Sequence, residues 1–330
     1  MGEVLPGSHD RGGGAREQPP GVGAARQGGL AAASITVVCW ASAFVAIRVA
    51  VRSFTPQEVA WLRFCSATVV LGLIALVTRM PLPRARDLPA LAGLGLVGHA
   101  LYNLALAWGQ TRVPAASASF IVASAPIWMV VLAYVLRQER LAVARVAAML
   151  LSLGGVALIA MGRGGPLVLD PAALVVVAAS VMQAGYSMGQ RPLLSRYSPL
   201  QVSTFTVFAA LLWLTPFAPS AARHLVVAPW SHGVAALFLG VVPTAVGYST
   251  WARAMKTLSP SSAGSFLYLV PAVVLALAWA VLGEFPSGLA VVGGVLVVAG
   301  VIAVQRLRDP PRATPSPLCV GEDGKFFSRL

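Results

Sequence analysis

Long apolar runs occupy the chain between residues 30 and 306 and are separated by short gaps rich in proline and arginine. Each run has about 20 residues, which is the length that an α-helix needs to cross the hydrocarbon core of a bilayer. The runs are continuous and do not alternate between apolar and polar residues, so they predict helices and not barrel strands. The predicted spans are 30–51, 56–78, 88–109, 113–136, 141–162, 169–190, 199–218, 231–252, 260–283 and 286–306. The pattern therefore predicts an all-α integral membrane protein with ten transmembrane helices.

The two halves of this apolar region repeat each other. When the chain is aligned with itself at a nearly constant offset, residues of the same type coincide. The matched pairs are Arg48 with Arg191, Pro56 with Pro199, Tyr102 with Tyr248, Pro126 with Pro271 and Glu139 with Glu284. Each unit contains five spans, and an odd number of spans places the second unit upside down relative to the first. The repeat therefore predicts two inverted five-helix units.

These units define the predicted domain organisation. The first five-helix repeat covers residues 30–162, and the second covers residues 169–306. Residues 1–29 and 307–330 contain many glycine, proline and charged residues, which is typical of disordered tails. The amino-terminal segment contains no apolar stretch long enough to form the core of a signal peptide.

Composition and charge agree with a membrane protein. Of the 330 residues, 57% are hydrophobic and only 11% are charged, whereas about a quarter are charged in soluble domains. The net charge of +13 comes from arginines spread over the gaps, which indicates membrane topology and does not indicate nucleic-acid binding. The inward gaps are richer in arginine when both termini are placed in the cytoplasm, so we expect a multi-pass plasma-membrane protein with that orientation.

Several short motifs of this sequence resemble those of one transporter family. The first span contains the run 39–44, Cys-Trp-Ala-Ser-Ala-Phe, and spans four and nine each carry a proline with a glutamate at the end of the span. Together with the paired five-span units, these motifs resemble the EamA-type drug/metabolite transporters. The resemblance implies a secondary carrier in the plasma membrane, most often an exporter of amino acids or other small metabolites.

The prolines of spans four and nine are candidate helix interruptions. Pro126 and Pro271 lie at matching positions, and each removes one backbone donor and frees a carbonyl group one turn earlier. Paired interruptions in inverted halves indicate a binding site near the bilayer midplane. The alternative interpretation is a pair of kinks that serve packing.

Three spans carry polar faces that we expect to turn away from lipid. Their residues are His99, Tyr102, Asn103 and Gln110 in span three, Ser180, Gln183, Ser187 and Gln190 in span six, and Thr244, Tyr248 and Trp251 in span eight. Such faces line a substrate cavity or form hydrogen bonds that hold the bundle together. The groups are uncharged or aromatic, so the expected substrate is a neutral or zwitterionic small molecule.

Arg63 is the charged residue expected deepest in a span. A charge at that depth is costly and requires a partner. One interpretation is that its planar guanidinium binds a substrate carboxylate. The other interpretations are an ion pair with Glu58 and a side chain that reaches the outer headgroups.

Glu139 and Glu284 are expected at opposite membrane faces. They are candidate gates that pair with arginines at the mouths of the cavity. The alternative is that each glutamate only ends its span in the interface.

No sequence feature predicts catalysis. The sequence has no nucleotide-binding loop of the Walker type, no HExxH motif and no close carboxylate pair within a span, and its three cysteines are scattered. We therefore expect no enzyme, no cofactor and no metal site. The remaining alternatives to a carrier that works by alternating access are an intramembrane enzyme and a membrane subunit of a larger transport assembly, and the inverted repeat argues against the latter.

Overall fold

A computed structural model describes residues 22–135, 143–161, 170–258 and 266–307. These residues form α-helices with short 3-10 and π segments, and they contain no strand. The α-helices are α1 Val22–Ala50, α2 Pro56–Val77, α3 Leu88–Leu94, α4 Tyr102–Gln110, α5 Ala115–Val122, α6 Ala125–Val135, α7 Val143–Met161, α8 Pro171–Gly189, α9 Arg191–Leu194, α10 Pro199–Leu214, α11 Ala218–Val227, α12 Trp230–Leu239, α13 Gly247–Thr257, α14 Val270–Leu282 and α15 Gly288–Arg306. The described part of the chain is therefore all-helical, as the apolar pattern predicts.

Within the described ranges, six helical segments are long and apolar enough to cross a membrane. They are Gln27–Ala50, Pro56–Val77, Ala85–Gln110, Pro171–Leu194, Pro199–Val227 and Trp230–Thr257. Shorter apolar helices lie in the regions of the remaining predicted spans, at Ala115–Met129, Val146–Leu158, Val270–Leu282 and Gly288–Gly300. The chain is thus a multi-pass helical membrane protein, and the count of ten spans stays a prediction.

Two long helices extend outside the predicted spans. The first helix begins at Val22, inside the predicted tail 1–29, because the Ala24-Ala25-Arg26-Gln27 stretch favours a helix. The helix α11, Ala218–Val227, occupies the predicted connection between spans seven and eight. Pro219 lies in its first turn, where a proline is compatible with a new helix start.

The second span of each repeat begins with the same capping arrangement. In α2, the Thr55 side chain accepts a hydrogen bond from the Glu58 backbone amide, and the Glu58 side chain accepts one from Thr55. In α10, Ser198 and Gln201 form the same reciprocal pair. Such a capping box satisfies two of the free amides at a helix start. The sequence repeat is therefore also a repeat of local structure.

The last spans of the two repeats, α7 and α15, pack closely on each other through glycines. A Cβ atom at Gly155 would lie 2.5 Å from the carbonyl oxygen of Gly293, and one at Gly300 would lie 2.7 Å from that of Ala148. Gly155 and Gly300 occupy matching positions in the two repeats. Since residue numbers rise along α7 while those of its partners fall along α15, the two helices run antiparallel.

The third span of each repeat contacts the second span of the other repeat. A π segment, Gly95–Leu101, joins α3 to α4, and a second π segment, Gly240–Val246, joins α12 to α13. A Cβ atom at Gly95 would lie 2.6 Å from the Thr206 carbonyl oxygen on α10, and one at Gly240 would overlap the Arg63 carbonyl oxygen on α2. Segments of π-helix are rare and are frequently found at functional sites.

Candidate functional site

Arg63 lies at the contact between α2 and the second π segment. Its side chain is buried, with only 3% exposure. The Thr244 hydroxyl donates to the Leu239 carbonyl oxygen at 2.9 Å, and therefore accepts the hydrogen bond from Arg63 Nε at 2.7 Å. Within the described residues this is the only hydrogen bond of the guanidinium, so its two terminal nitrogens keep their donors for another group.

His99 occupies the matching contact between the first π segment and α10. Its Nε2 lies 3.1 Å from the Thr206 hydroxyl oxygen. The Thr206 hydroxyl lies 2.8 Å from the Val202 carbonyl oxygen, to which it donates, so we assign Nε2 as the donor in the bond to Thr206. Nδ1 of the neutral ring is then an acceptor, and this buried atom has no hydrogen-bond partner within the described residues.

The two contacts are related by the repeat. His99 and Thr244 occupy matching positions in the third spans, and Arg63 and Thr206 occupy matching positions in the second spans. In both contacts, a threonine hydroxyl donates to a carbonyl oxygen of its own span. It accepts a hydrogen bond from a larger side chain of the other repeat. The repeat therefore places two nitrogen-bearing side chains at the contact between its halves.

An aromatic cluster surrounds His99. Its ring centroid lies 4.6 Å from that of Tyr248 and 4.7 Å from that of Tyr186. Trp40 of the first span lies 5.4 Å from Tyr248 and 5.3 Å from Trp251. These four aromatic rings come from the first, sixth and eighth predicted spans, and they form an apolar wall beside the polar contacts.

Several of the buried polar atoms that have no hydrogen-bond partner within the described residues belong to this cluster or to residues close to it in sequence. Asn103 lies one turn after His99, and its Nδ2 donates to the His99 carbonyl oxygen at 2.8 Å. Its Oδ1 is left as an acceptor with no partner among the residues that the structure places. The other unpartnered atoms near the cluster are of two kinds. Nδ1 of His99 and Oε1 of Gln183 are acceptors, and Nε1 of Trp40 and Nε1 of Trp251 are donors.

The structure brings most of the predicted cavity residues together. The Tyr248 ring packs on that of His99, and Tyr102 lies three residues after His99 on the same side of its helix. His99, Asn103 and Trp251 belong to the same region, and Gln183 lies one turn before Tyr186 on α8. The Gln110 side chain is separate, because its Nε2 donates to the Phe44 carbonyl oxygen.

Sequence reasoning missed Trp40 and Tyr186 as site residues. A signal for each was present. Trp40 lies in the run 39–44 that carries the family resemblance, and Tyr186 continues the polar face of span six between Gln183 and Gln190.

Both prolines follow an irregular turn. Residues 123 and 124 separate α5 from α6 immediately before Pro126, and a 3-10 turn, Leu267–Leu269, precedes Pro271. A proline cannot donate to the carbonyl group one turn earlier, which accounts for an interruption at this point. Whether the interruptions line the cavity stays a prediction.

The acidic residues of the described ranges are all engaged away from Arg63. Glu58 Oε1 lies 2.9 Å from His224 Nδ1. The alternative in which Glu58 pairs with Arg63 therefore does not occur in the structure. The other engaged carboxylates are Asp87 with Arg196 and Tyr197, Asp170 with the Ala172 amide, and Glu284 with Arg48. Arg63 is therefore a buried cation with no acidic partner in this part of the chain.

Glu284 joins the two repeats at one end of the bundle. Its Oε1 lies 2.8 Å from Arg48 Nε, and Arg48 Nη1 also donates to the carbonyl oxygen of Gln110 at 2.8 Å. Gly283 ends α14 in the left-handed conformation, with a φ of 65°, and thereby turns the chain toward this contact. The second candidate gate, Glu139, lies outside the described residues.

Comparison with known proteins identifies the family. The model of the EamA-like transporter family matches residues 27–161 and again residues 170–305. A probable terminal-alkyne amino-acid exporter of Streptantibioticus cattleyicolor is 39% identical over 272 residues, which cover 82% of this chain and 91% of that protein. A probable amino-acid metabolite efflux pump of Salmonella typhimurium is 26% identical over 81% of this chain and 91% of its own length.

A solved structure supports the fold. One crystal structure of a protein with 23% sequence identity matches with a TM-score of 0.57 over 87% of this chain and 98% of its own. At that identity the similarity concerns the fold alone. The two family matches cover most of the sequence and correspond to its two repeats. The chain belongs to the EamA-like transporter family.

Proposed function

We propose that this protein is a secondary carrier that exports amino acids or similar small metabolites by alternating access between two inverted five-helix repeats. The observation that carries the proposal is the buried Arg63 at the contact between the repeats. Its charge has no acidic partner within the described residues, and two of its nitrogens are free to bind a ligand. The names of the relatives, an amino-acid exporter and an amino-acid metabolite efflux pump, support the same substrate class.

A carboxylate fits the guanidinium of Arg63 best. The planar fork of donors binds two carboxylate oxygens in parallel, and charge-assisted bonds of this kind are stronger than neutral ones. A cation held in a membrane protein without a counter-charge is costly, so a ligand carboxylate that neutralises it binds favourably. The absence of a described acidic side chain beside Arg63 disfavours a strongly cationic substrate.

The inverted arrangement is supported by the pairing of α7 with α15. These helices are the matching last spans of the two repeats, and they run antiparallel where Gly155 and Gly300 pack. The reciprocal contacts of the two π segments also follow from a two-fold relation between the repeats. A site on such an axis is reached from either side when the repeats rock against each other.

The test of this function is transport by purified protein in proteoliposomes. We expect saturable transport of 2-amino-4-pentynoate, an amino acid with a terminal alkyne, and a roughly ten- to hundredfold loss of affinity in Arg63→Gln, because one charge-assisted interaction is lost. The matched control is Arg52→Gln, which removes an exposed arginine and should transport normally. Equal affinity of Arg63→Gln and the unaltered protein would contradict the proposed role of Arg63.

Orientation is testable by labelling single cysteines in intact cells. In a protein without its three native cysteines, we expect cysteines at positions 7, 84 and 315 to resist an impermeant thiol reagent. A cysteine at position 164 should react, because the excess of arginine in the inward gaps places the connection between the two repeats outside. Labelling of position 84 from outside would contradict the orientation.

A further inference from the structure

We infer that His99 Nδ1 and Asn103 Oδ1 form a binding subsite for the ammonium group of a zwitterionic substrate. The inference rests on the proposed function, in which Arg63 binds the substrate carboxylate. It goes further by assigning the second charged group of the substrate to named atoms. It thereby restricts the substrate class to compounds with a free α-amino group.

Both atoms are acceptors because of the bonds that their residues already make. His99 donates through Nε2 to Thr206, which leaves a lone pair on Nδ1. Asn103 donates through Nδ2 to the His99 carbonyl oxygen, which leaves Oδ1 as its acceptor. The two side chains are almost fully buried, at 0% and 2% exposure.

The two acceptors lie on the same side of their helix. His99 and Asn103 are four residues apart along the π segment and α4, and residues at this spacing are neighbours on one helical face. Neither atom has a hydrogen-bond partner among the described residues. Leaving a buried acceptor unpaired is unfavourable, so two neighbouring unpaired acceptors indicate a group that supplies at least two donors.

An ammonium group satisfies this requirement. It carries three donors and no acceptor, and so matches two or three converging acceptors. The rings of Tyr186 and Tyr248 lie within 4.7 Å of the His99 ring, and aromatic faces also attract cations. Oε1 of Gln183, which is likewise buried and unpartnered, is available as a third acceptor.

The position of the subsite relative to Arg63 suits an α-amino acid. Phe64, which follows Arg63 on α2, has its ring centroid 5.7 Å from that of His99, so Arg63 and the subsite lie in the same part of the bundle. A free ammonium ion would be repelled by this cation, whereas the carboxylate of the same substrate neutralises it. The arrangement therefore favours a ligand that carries an ammonium group and a carboxylate group on the same carbon atom over a simple amine.

The experiment compares two ligands that differ only at this group. Binding of 2-amino-4-pentynoate and of 2-hydroxy-4-pentynoate to purified full-length protein is measured by calorimetry. We expect the unaltered protein to bind the amino acid about ten- to hundredfold more tightly than the hydroxy acid. Asn103→Leu and His99→Phe should each weaken binding of the amino acid about tenfold or more beyond any effect on the hydroxy acid, and so reduce this ratio.

A monodisperse peak in detergent chromatography shows that each variant is folded. The matched control is Gln110→Met, which removes another buried and unpartnered acceptor from the same span but outside the cluster. It should keep the ratio of the unaltered protein.

Two results would overturn the inference, and they separate it from the proposed function. Equal binding of both ligands, lost in Arg63→Gln, would leave the carboxylate site intact and disprove the ammonium subsite. Binding of neither ligand would contradict the subsite and the proposed substrate class together.

Discussion

The substitutions Gly95→Leu and Gly240→Leu are each expected to lower the melting temperature of the purified protein strongly. A Cβ atom at Gly95 would lie 2.6 Å from the Thr206 carbonyl oxygen and 3.0 Å from the Ala210 amide nitrogen, so it would meet backbone that cannot move aside. Gly240 faces the backbone of Arg63 and Ala67 in the same way. Overpacking of this kind costs on the order of 1–3 kcal/mol or more, and the larger side chain adds to it.

A matched control for this prediction lies on the same helix as Gly95. Gly93 is exposed, and a Cβ atom at this position would have no heavy atom within 4 Å. Gly93→Leu should therefore melt at nearly the temperature of the unaltered protein. The measurement is the loss of the monodisperse peak in detergent chromatography after heating. A similar melting temperature for Gly93→Leu and Gly95→Leu would show that the contact between the repeats does not limit stability.

This pair of glycines shows how far the sequence predicts packing. Residues 93–98, Gly-Leu-Gly-Leu-Val-Gly, match the glycine pattern of dinucleotide-binding loops. Because they lie inside an apolar span, they are predicted to form a close-packing helix face and not a dinucleotide site. In the structure, Gly95 contacts α10 and Gly98 contacts Tyr186, whereas Gly93 has open space. Apolar runs and glycine spacing thus indicate that a face packs, but which glycine meets a neighbour depends on the rotation of the helix.

The polar site was predictable in part for a similar reason. Polar residues in apolar runs must face the interior, so His99, Asn103 and Tyr248 could be selected by spacing alone. The pairing of side chains could not be predicted, because Thr206 bonds to His99 and Thr244 bonds to Arg63, and each pair joins two repeats that are far apart in sequence. The hydrogen bond that Arg63 Nε donates to Thr244 holds the Arg63 side chain inside the bundle. Because Glu58 pairs with His224, the ion pair with Glu58 is removed from the three interpretations that the sequence left open.

The π segments show a different limit. The second segment contains Pro243, which has no backbone donor and interrupts ordinary α-helical bonding, whereas the first segment, Gly-Leu-Val-Gly-His-Ala-Leu, contains no proline. They occupy matching positions in the two repeats, and each lies where a third span crosses the second span of the other repeat. Comparison between the repeats therefore identifies these positions as equivalent. The widened turn itself is visible only in the folded structure.

Breaking the Arg48–Glu284 pair is expected to open one face of the bundle. This ion pair connects the end of the first span with the end of α14, so it ties the two repeats together where the proposed topology places the outside. In a secondary carrier, such a contact stabilises the state that is closed on this side. Losing a charged hydrogen bond of about 1.5–3 kcal/mol would shift the balance toward the open state by about ten- to hundredfold.

Cys39 provides a native reporter of this opening. It is buried, with 5% exposure, and it lies in the first span next to Trp40 of the aromatic cluster. In a protein that lacks Cys65 and Cys319, we expect a thiol reagent added outside to label Cys39 at least several times faster in Glu284→Gln than with Glu284 present. Arg52→Gln, which removes an exposed arginine one turn after Arg48, should leave the rate unchanged. Unchanged labelling in a folded Glu284→Gln protein would show that Glu284 only ends its helix, because a pair that holds the two repeats closed must expose the site when it is broken.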